Sequence, residues 1–171
     1  MILVLCLGNE LRRDDAVALR VADLLEASPP PGAVVRRTAV AGLYLIDELE
    51  GFERAVVVDA VRTGLHAPGT VLTFPLEDLR APEGPSPHSI GLPSALARAR
   101  AAGLPVPERI HVVAVEAEDL DTVGEGLTPA VEAAVAPAAE EVRRVAQALS
   151  ASPGGTTCST AVRSDPTTRA P

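Results

Sequence analysis

Positive charge is scarce in this chain of 171 residues: fifteen arginines and no lysine stand against 23 Asp and Glu, a formal net charge of −8. Phosphate backbones and anionic membrane surfaces are held by clustered cations, so nucleic-acid and membrane partners are not expected. The use of arginine alone, with much alanine and proline, reads as coding bias. Cysteine is scarcer still. Cys6 falls in an apolar run and Cys158 in a polar tail, so no disulfide is expected and a reducing, cytoplasmic compartment follows. The opening apolar run, Met1 to Leu7, is short, lacks a basic leader and passes into Gly8-Asn9, so neither signal peptide nor membrane span is expected. Gly8-Asn9 also lacks the further glycines and the lysine of a phosphate loop. Neither Ser89 nor Ser94 stands in a Gly-x-Ser-x-Gly turn, and neither cysteine has an activated setting, which leaves nucleophilic hydrolysis little support.

What is present is an alternation of short apolar runs with helical patterns, in a length suited to one domain. Met1 to Leu7, Ala55 to Val58 and Ile110 to Val115 are too short for helices and do not alternate, as expected of parallel strands buried on both faces. Val34 to Thr38 reads as a weaker strand, and Gly69 to Phe74 as a strand that could run antiparallel at an edge. Val17, Val21, Leu24 and Leu25 share one helix face before the stop at Ser28-Pro29-Pro30-Pro31-Gly32. Shorter helices are expected near Tyr44 to Glu50 and Leu92 to Ala102. Thr128 as cap and Pro129 as first residue open a last helix with Val131, Val135, Ala138, Val142, Val145 and Leu149 on one stripe, and Pro137 should interrupt it. The pattern predicts a three-layer α/β/α sandwich with a mostly parallel central sheet over residues 1–149. Residues 150–171, polar and nearly devoid of bulky apolar side chains, are expected to form a disordered tail.

Candidate chemistry collects where strands end. In open α/β sheets ligands bind outside the carboxyl ends of the strands, and there the first unit places Asn9, Asp14 and Asp15 where a nucleotide binder would place its phosphate. Two carboxylates repel phosphate and attract a cation. Asp59 follows Val56-Val57-Val58 and should leave the sheet edge, since an unpaired carboxylate in the core is costly. His88 follows a proline-rich loop, Ala81 to Pro87. Two carboxylates and one imidazole suit nickel, zinc, manganese or iron. Plainer readings stand beside this one. Asp14 and Asp15 could only favour a helix start, Asp59 could cap a turn, and His88 could be a surface residue. His66 is a rival ligand, whereas His111, near the start of its strand, belongs to the other end of the sheet. Asn9 suits an unusual turn or a substrate carbonyl.

Taken together, Leu7-Gly8-Asn9-Glu10-Leu11-Arg12-Arg13-Asp14-Asp15, Val58-Asp59-Ala60, Ser86-Pro87-His88-Ser89-Ile90-Gly91-Leu92 and Gly126-Leu127-Thr128-Pro129 resemble the hydrogenase maturation protease family, in order and with compatible spacing from Met1 to about Leu149. The resemblance implies a phosphorylase/hydrolase-like fold and an aspartyl-type endopeptidase that trims the C-terminus of the [NiFe]-hydrogenase large-subunit precursor. It also implies that Asp15, Asp59 and His88 bind metal; the same three are the catalytic candidates, with the base unassigned between the carboxylates and both open to being ligands only, and Asn9 and Asp14 are the candidates to position substrate. The metal would be nickel supplied by the precursor, without an organic cofactor, polarising the scissile carbonyl or activating a water while a carboxylate takes the proton. A non-hydrolytic chaperone docking the same nickel centre is the alternative. One departure is visible: the family commonly has Asp-Asp-Gly-x-Gly, and this chain has Asp14-Asp15-Ala16-Val17-Ala18, which implies a more crowded helix start with intact ligands.

Overall fold

Five strands form one sheet in the order β2-β1-β3-β5-β4, in a computed structural model that describes residues 1–79 and 92–151. The elements are β1 (Ile2–Leu7), α1 (Val17–Ala27), β2 (Ala33–Thr38), α2 (Leu45–Leu49), β3 (Arg54–Val61), β4 (Val71–Pro75), α3 (Leu92–Ala101), β5 (Arg109–Glu116) and α4 (Pro129–Ala151). β1 pairs in parallel with β2 and β3, and β3 with β5. β4 runs antiparallel to β5 at the edge. The expected strand at Gly69 begins two residues later, at Val71, because Gly69 takes a positive φ of 82°, a turn conformation open to glycine.

Side chains of one parity along the strands, including Val4, Cys6, Val56, Val58, Val113 and Val115, pack under α1 and α4. Those of the other parity, including Leu3, Leu5, Leu7, Val57 and Ala114, pack under α2 and α3. The central strands are buried on both faces, which is why they read as continuous apolar runs. The apolar stripe of α4 is buried as expected, as are Val17, Val21 and Leu25 of α1, while Leu24 is partly exposed. Pro137 does not end α4, which continues to Ala151. Pro137 and Ala133 are both exposed, so water can replace the hydrogen bond that the proline cannot donate. Among the described residues no helix is long and apolar enough to cross a membrane. The tail expected to be disordered lies, from residue 152 onward, outside the described residues.

The chain passes from β1 through α1 to β2, then returns through α2, on the other face, to β3 on the far side of β1. Such a reversal parts the connections at the carboxyl ends of two adjacent strands and leaves a crevice there. The crevice lies between β1 and β3.

Candidate active site

The β1–β3 ladder ends with Cys6 opposite Val58, one residue before Asp59. Leu7 pairs on with Thr38 of β2, and the Gly8 amide donates to the Thr38 carbonyl at 3.1 Å, so β1 leaves toward β2 as β3 continues. β3 is held beyond that point by β5, through Asp59 opposite Ala114, Ala60 opposite Val115 and Val61 opposite Glu116. Asp59 is therefore inside a strand and buried, where the sequence suggested that it would leave the sheet edge. The strand outruns its apolar stretch because one neighbour remains to pair with it. By alternation Asp59 shares the face of Ala55 and Val57, the α2 and α3 side. Its Oδ1 accepts from the Ala60 amide at 2.9 Å.

Asp15 reaches the same end of the sheet by a different device. After Gly8, the Asn9 side chain accepts from the Leu11 amide at 2.9 Å, and the Arg12 amide donates to the Asn9 carbonyl at 3.1 Å. This is an Asx turn, in keeping with one of the two readings given for Asn9. A short 3-10 turn, Arg13–Ala16, then carries both acids ahead of α1 and packs against β3. Neither acid caps a helix through its side chain. A β-carbon on Gly8 would lie 2.4 Å from the Asp15 carbonyl oxygen and 3.2 Å from Leu19 Cγ, so only glycine lets this turn settle over the end of β1. Asp15 is buried there.

Asp14 does something the sequence did not suggest. Its Oδ2 accepts from the amides of Glu118 and Asp119 at 2.9 and 2.8 Å and from the Thr128 hydroxyl at 3.0 Å, while Oδ1 accepts from the Thr128 amide at 2.7 Å. A carboxylate offers about four acceptor sites, and four donors of the chain meet this one, three at Oδ2 and one at Oδ1. Asp14, expected to position substrate, is a buried buckle joining the Asp15 turn to the β5–α4 loop. Thr128 stands at the cap of α4 as expected, its carbonyl accepting from the Glu132 amide at 2.8 Å, while its hydroxyl donates to Asp14.

Sequence reasoning also missed Glu116. At the carboxyl end of β5 it is buried, and its side chain accepts from the Thr63 and Gly64 amides and the Thr63 hydroxyl, each at 2.8 Å. Its backbone pairs with Thr70 and Gly69, the other end of the same loop, at 2.9 and 2.8 Å. Its only signal was a lone acid closing an apolar run.

His88 lies outside the described residues, as do Ser89 and Cys158. His66 is exposed on the loop after β3, at the correct end of the sheet. His111 stands opposite Val56 and Pro75 in the first half of β5, toward the other end. Cys6 is a buried free thiol whose pKa burial pushes up to about 12, which makes it inert at neutral pH. Among the described residues no three His, Cys, Asp or Glu side chains gather to hold a metal ion. The donors at hand are two buried carboxylates, hard oxygen ligands suited to a divalent cation that brings further ligands.

Comparison with known proteins fits this geometry. Residues 20–145 match the family model described as hydrogenase maturation protease. The chain belongs to the hydrogenase maturation protease family. It is 33% identical over 145 residues to the hydrogenase 2 maturation protease of Escherichia coli K12, an alignment covering 82% of this chain and 87% of that protein. It is 31% identical over 146 residues to the hydrogenase expression/formation protein HupD of Thiocapsa roseopersicina, covering 81% of this chain and 64% of that one. The structure of the hydrogenase maturating endopeptidase HybD from Escherichia coli superposes with a TM-score of 0.72 at 30% identity, covering 86% and 93% of the two chains. The [NiFe] hydrogenase maturation protease HybD from Thermococcus kodakarensis superposes at 0.68 with 29% identity over 85% and 98%. A hydrogenase maturation protease is a peptidase that processes a hydrogenase precursor, and the three-layer α/β sandwich is the architecture of its structural neighbours.

Proposed function

We propose that this protease removes the C-terminal extension of a [NiFe]-hydrogenase large-subunit precursor, and that it reads the nickel already installed there through Asp15, Asp59 and His88. The observation that carries the reading is the pair of buried carboxylates, Asp15 and Asp59, on the two sides of the β1/β3 crevice. Two carboxylates make half a coordination shell. An ion that arrives within the precursor, holding its own ligands, needs only such a half. His88 is four residues before Leu92, where α3 begins on the sheet face that Asp59 shares, and four residues of chain reach at most about 14 Å. One carboxylate of the pair takes the proton from the attacking water, the other staying with the cation. The free thiol of Cys6 supports a reducing, cytoplasmic setting.

The test is to mix the purified protein with nickel-loaded and nickel-free precursor and follow the precursor's mass. A C-terminal peptide should be lost from the loaded form alone. Asp15→Asn, Asp59→Asn and His88→Ala should each abolish that loss while the circular dichroism stays native. A tight complex of unchanged mass would replace this reading with that of a nickel-recognising chaperone.

A further inference from the structure

We infer that the loops flanking the crevice form a preorganised apolar shelf on which the folded body of the precursor docks; this rests on the protease reading above. The shelf has two tips. Leu65, 82% exposed, stands in the loop after β3, and Val123, 77% exposed, in the loop after β5. Beside Val123 is Leu11, 63% exposed, because Arg12 bridges Val123 and Gly124 and the Gly124 amide donates to the Leu11 carbonyl at 3.0 Å.

These tips are held, which is unusual for exposed apolar residues in connecting loops. Glu116 pins both ends of the Leu65 loop, by side chain at Thr63 and Gly64 and by backbone at Gly69 and Thr70. Asp14 ties the loop bearing Val123 to the turn bearing Leu11. Arg62 then joins the two loops, donating to Asp121 at 2.7 and 3.4 Å. That guanidinium holds the Asp121 carboxyl below its usual range. Two buried carboxylates and a forked ion pair thus hold the loop backbones that carry three large apolar side chains into water. Rigidity at such positions lowers the ordering cost of association and serves a partner that covers them.

The occupant follows from continuity with the crevice. Leu11 is four residues before Asp15, and Leu65 is on the loop that leaves the Asp59 strand. A protein whose scissile segment enters between Asp15 and Asp59 lays the surface around that segment on this shelf. With Arg62 and Asp121 paired to each other, the link between the tips favours an apolar partner surface over a charged one.

The experiment measures precursor binding and cleavage separately for the wild type and for a variant carrying Leu11→Ser, Leu65→Ser and Val123→Ser, with Leu104→Ser, on the loop after α3, as control. The replaced side chains are exposed, so all proteins should melt within a few degrees of one another. The triple variant should bind the nickel-loaded precursor at least tenfold more weakly, about 1.4 kcal/mol, and raise KM in step at unchanged kcat. Unchanged affinity would overturn the shelf. So would a wild type that associates with itself and a triple variant that does not, since the shelf would then belong to a second copy of the chain. Tight binding that weakens in the variant, with no cleavage by either protein, would uphold the shelf and sink the protease reading. A precursor that neither binds nor is cut would sink both.

Discussion

Gly8→Ala tests whether the position of the Asp15 turn governs catalysis. The added methyl would lie 2.4 Å from the Asp15 carbonyl oxygen, 1.0 Å inside the 3.4 Å at which ordinary contact begins, and Leu19 Cγ at 3.2 Å limits retreat on another side. The turn must therefore lift by about 1 Å, a misplacement able to slow a reaction roughly a hundredfold. Overpacking of this kind also destabilises by about 1 to 3 kcal/mol, a fall in Tm of roughly 2 to 12 °C at this chain length. Stability loss alone must be separated from the effect on rate, and Gly69→Ala supplies the match. There the methyl would lie 2.4 Å from the Ala130 carbonyl oxygen at a φ of 82°, a clash with α4 that does not involve the Asp15 turn. Single-turnover processing well below both melting temperatures should show kcat down about a hundredfold for Gly8→Ala and within about threefold of wild type for Gly69→Ala. A Gly8→Ala protein with native kcat, or a Gly69→Ala protein equally impaired, would refute the reasoning.

Asp14→Asn should keep the fold and lower its stability by about 3 kcal/mol in denaturant unfolding, because the amide must turn a donor toward at least one buried N–H. Cys6 should resist alkylation in the native protein at pH 8 and react in denaturant, read by mass spectrometry of its peptide. Its pKa is raised from 9.0 to about 12 in the folded state, so its contribution is complete below pH 9 and is lost as pH rises toward 12. That amounts to about 4 kcal/mol in all, and Cys6→Ala should flatten this part of the stability profile. His66→Ala and His111→Ala should process precursor at the wild-type rate; inactivity of His66→Ala alone would move the imidazole role from His88 to His66.

The frame of this molecule was legible because buried parallel strands write themselves as unbroken apolar runs, and because Thr128-Pro129 and Ser28 to Gly32 bracket helices. The direction of β4 was left open for a physical reason: an edge strand with one paired side satisfies either direction locally. Asp59 was misjudged because it interrupts the apolar run after Val58, whereas pairing with β5 continues through it to Val61. Nothing local could assign Asp14 or Glu116, since their partners lie 104 to 114 and 52 to 53 residues away. A buried carboxylate is intelligible only with its donors in view. Asp14 and Asp15, adjacent and chemically identical, part in role because one side chain meets the β5–α4 loop and the other belongs to a turn packed on β3.

The same comparison explains why a scaffold that elsewhere holds a dinucleotide should not do so here. A phosphate site at a helix start needs amides that face outward and a glycine that leaves space for the anion. In this chain the amides of Arg12, Arg13, Asp14, Asp15 and Val17 all donate to backbone carbonyls. The space above Gly8 is taken by the carbonyl oxygen of Asp15. An arriving phosphate would meet that oxygen and the nearby Asp15 and Asp59 carboxylates, each repelling a unit charge 4 Å away by about 4 kcal/mol at an effective dielectric constant near 20. Occupancy, donors and charge thus oppose an anion together, and the charge that opposes it favours a cation. ATP and NAD should accordingly produce no thermal shift at millimolar concentration; a clear stabilisation by either would show that the crevice is not what its acids make it.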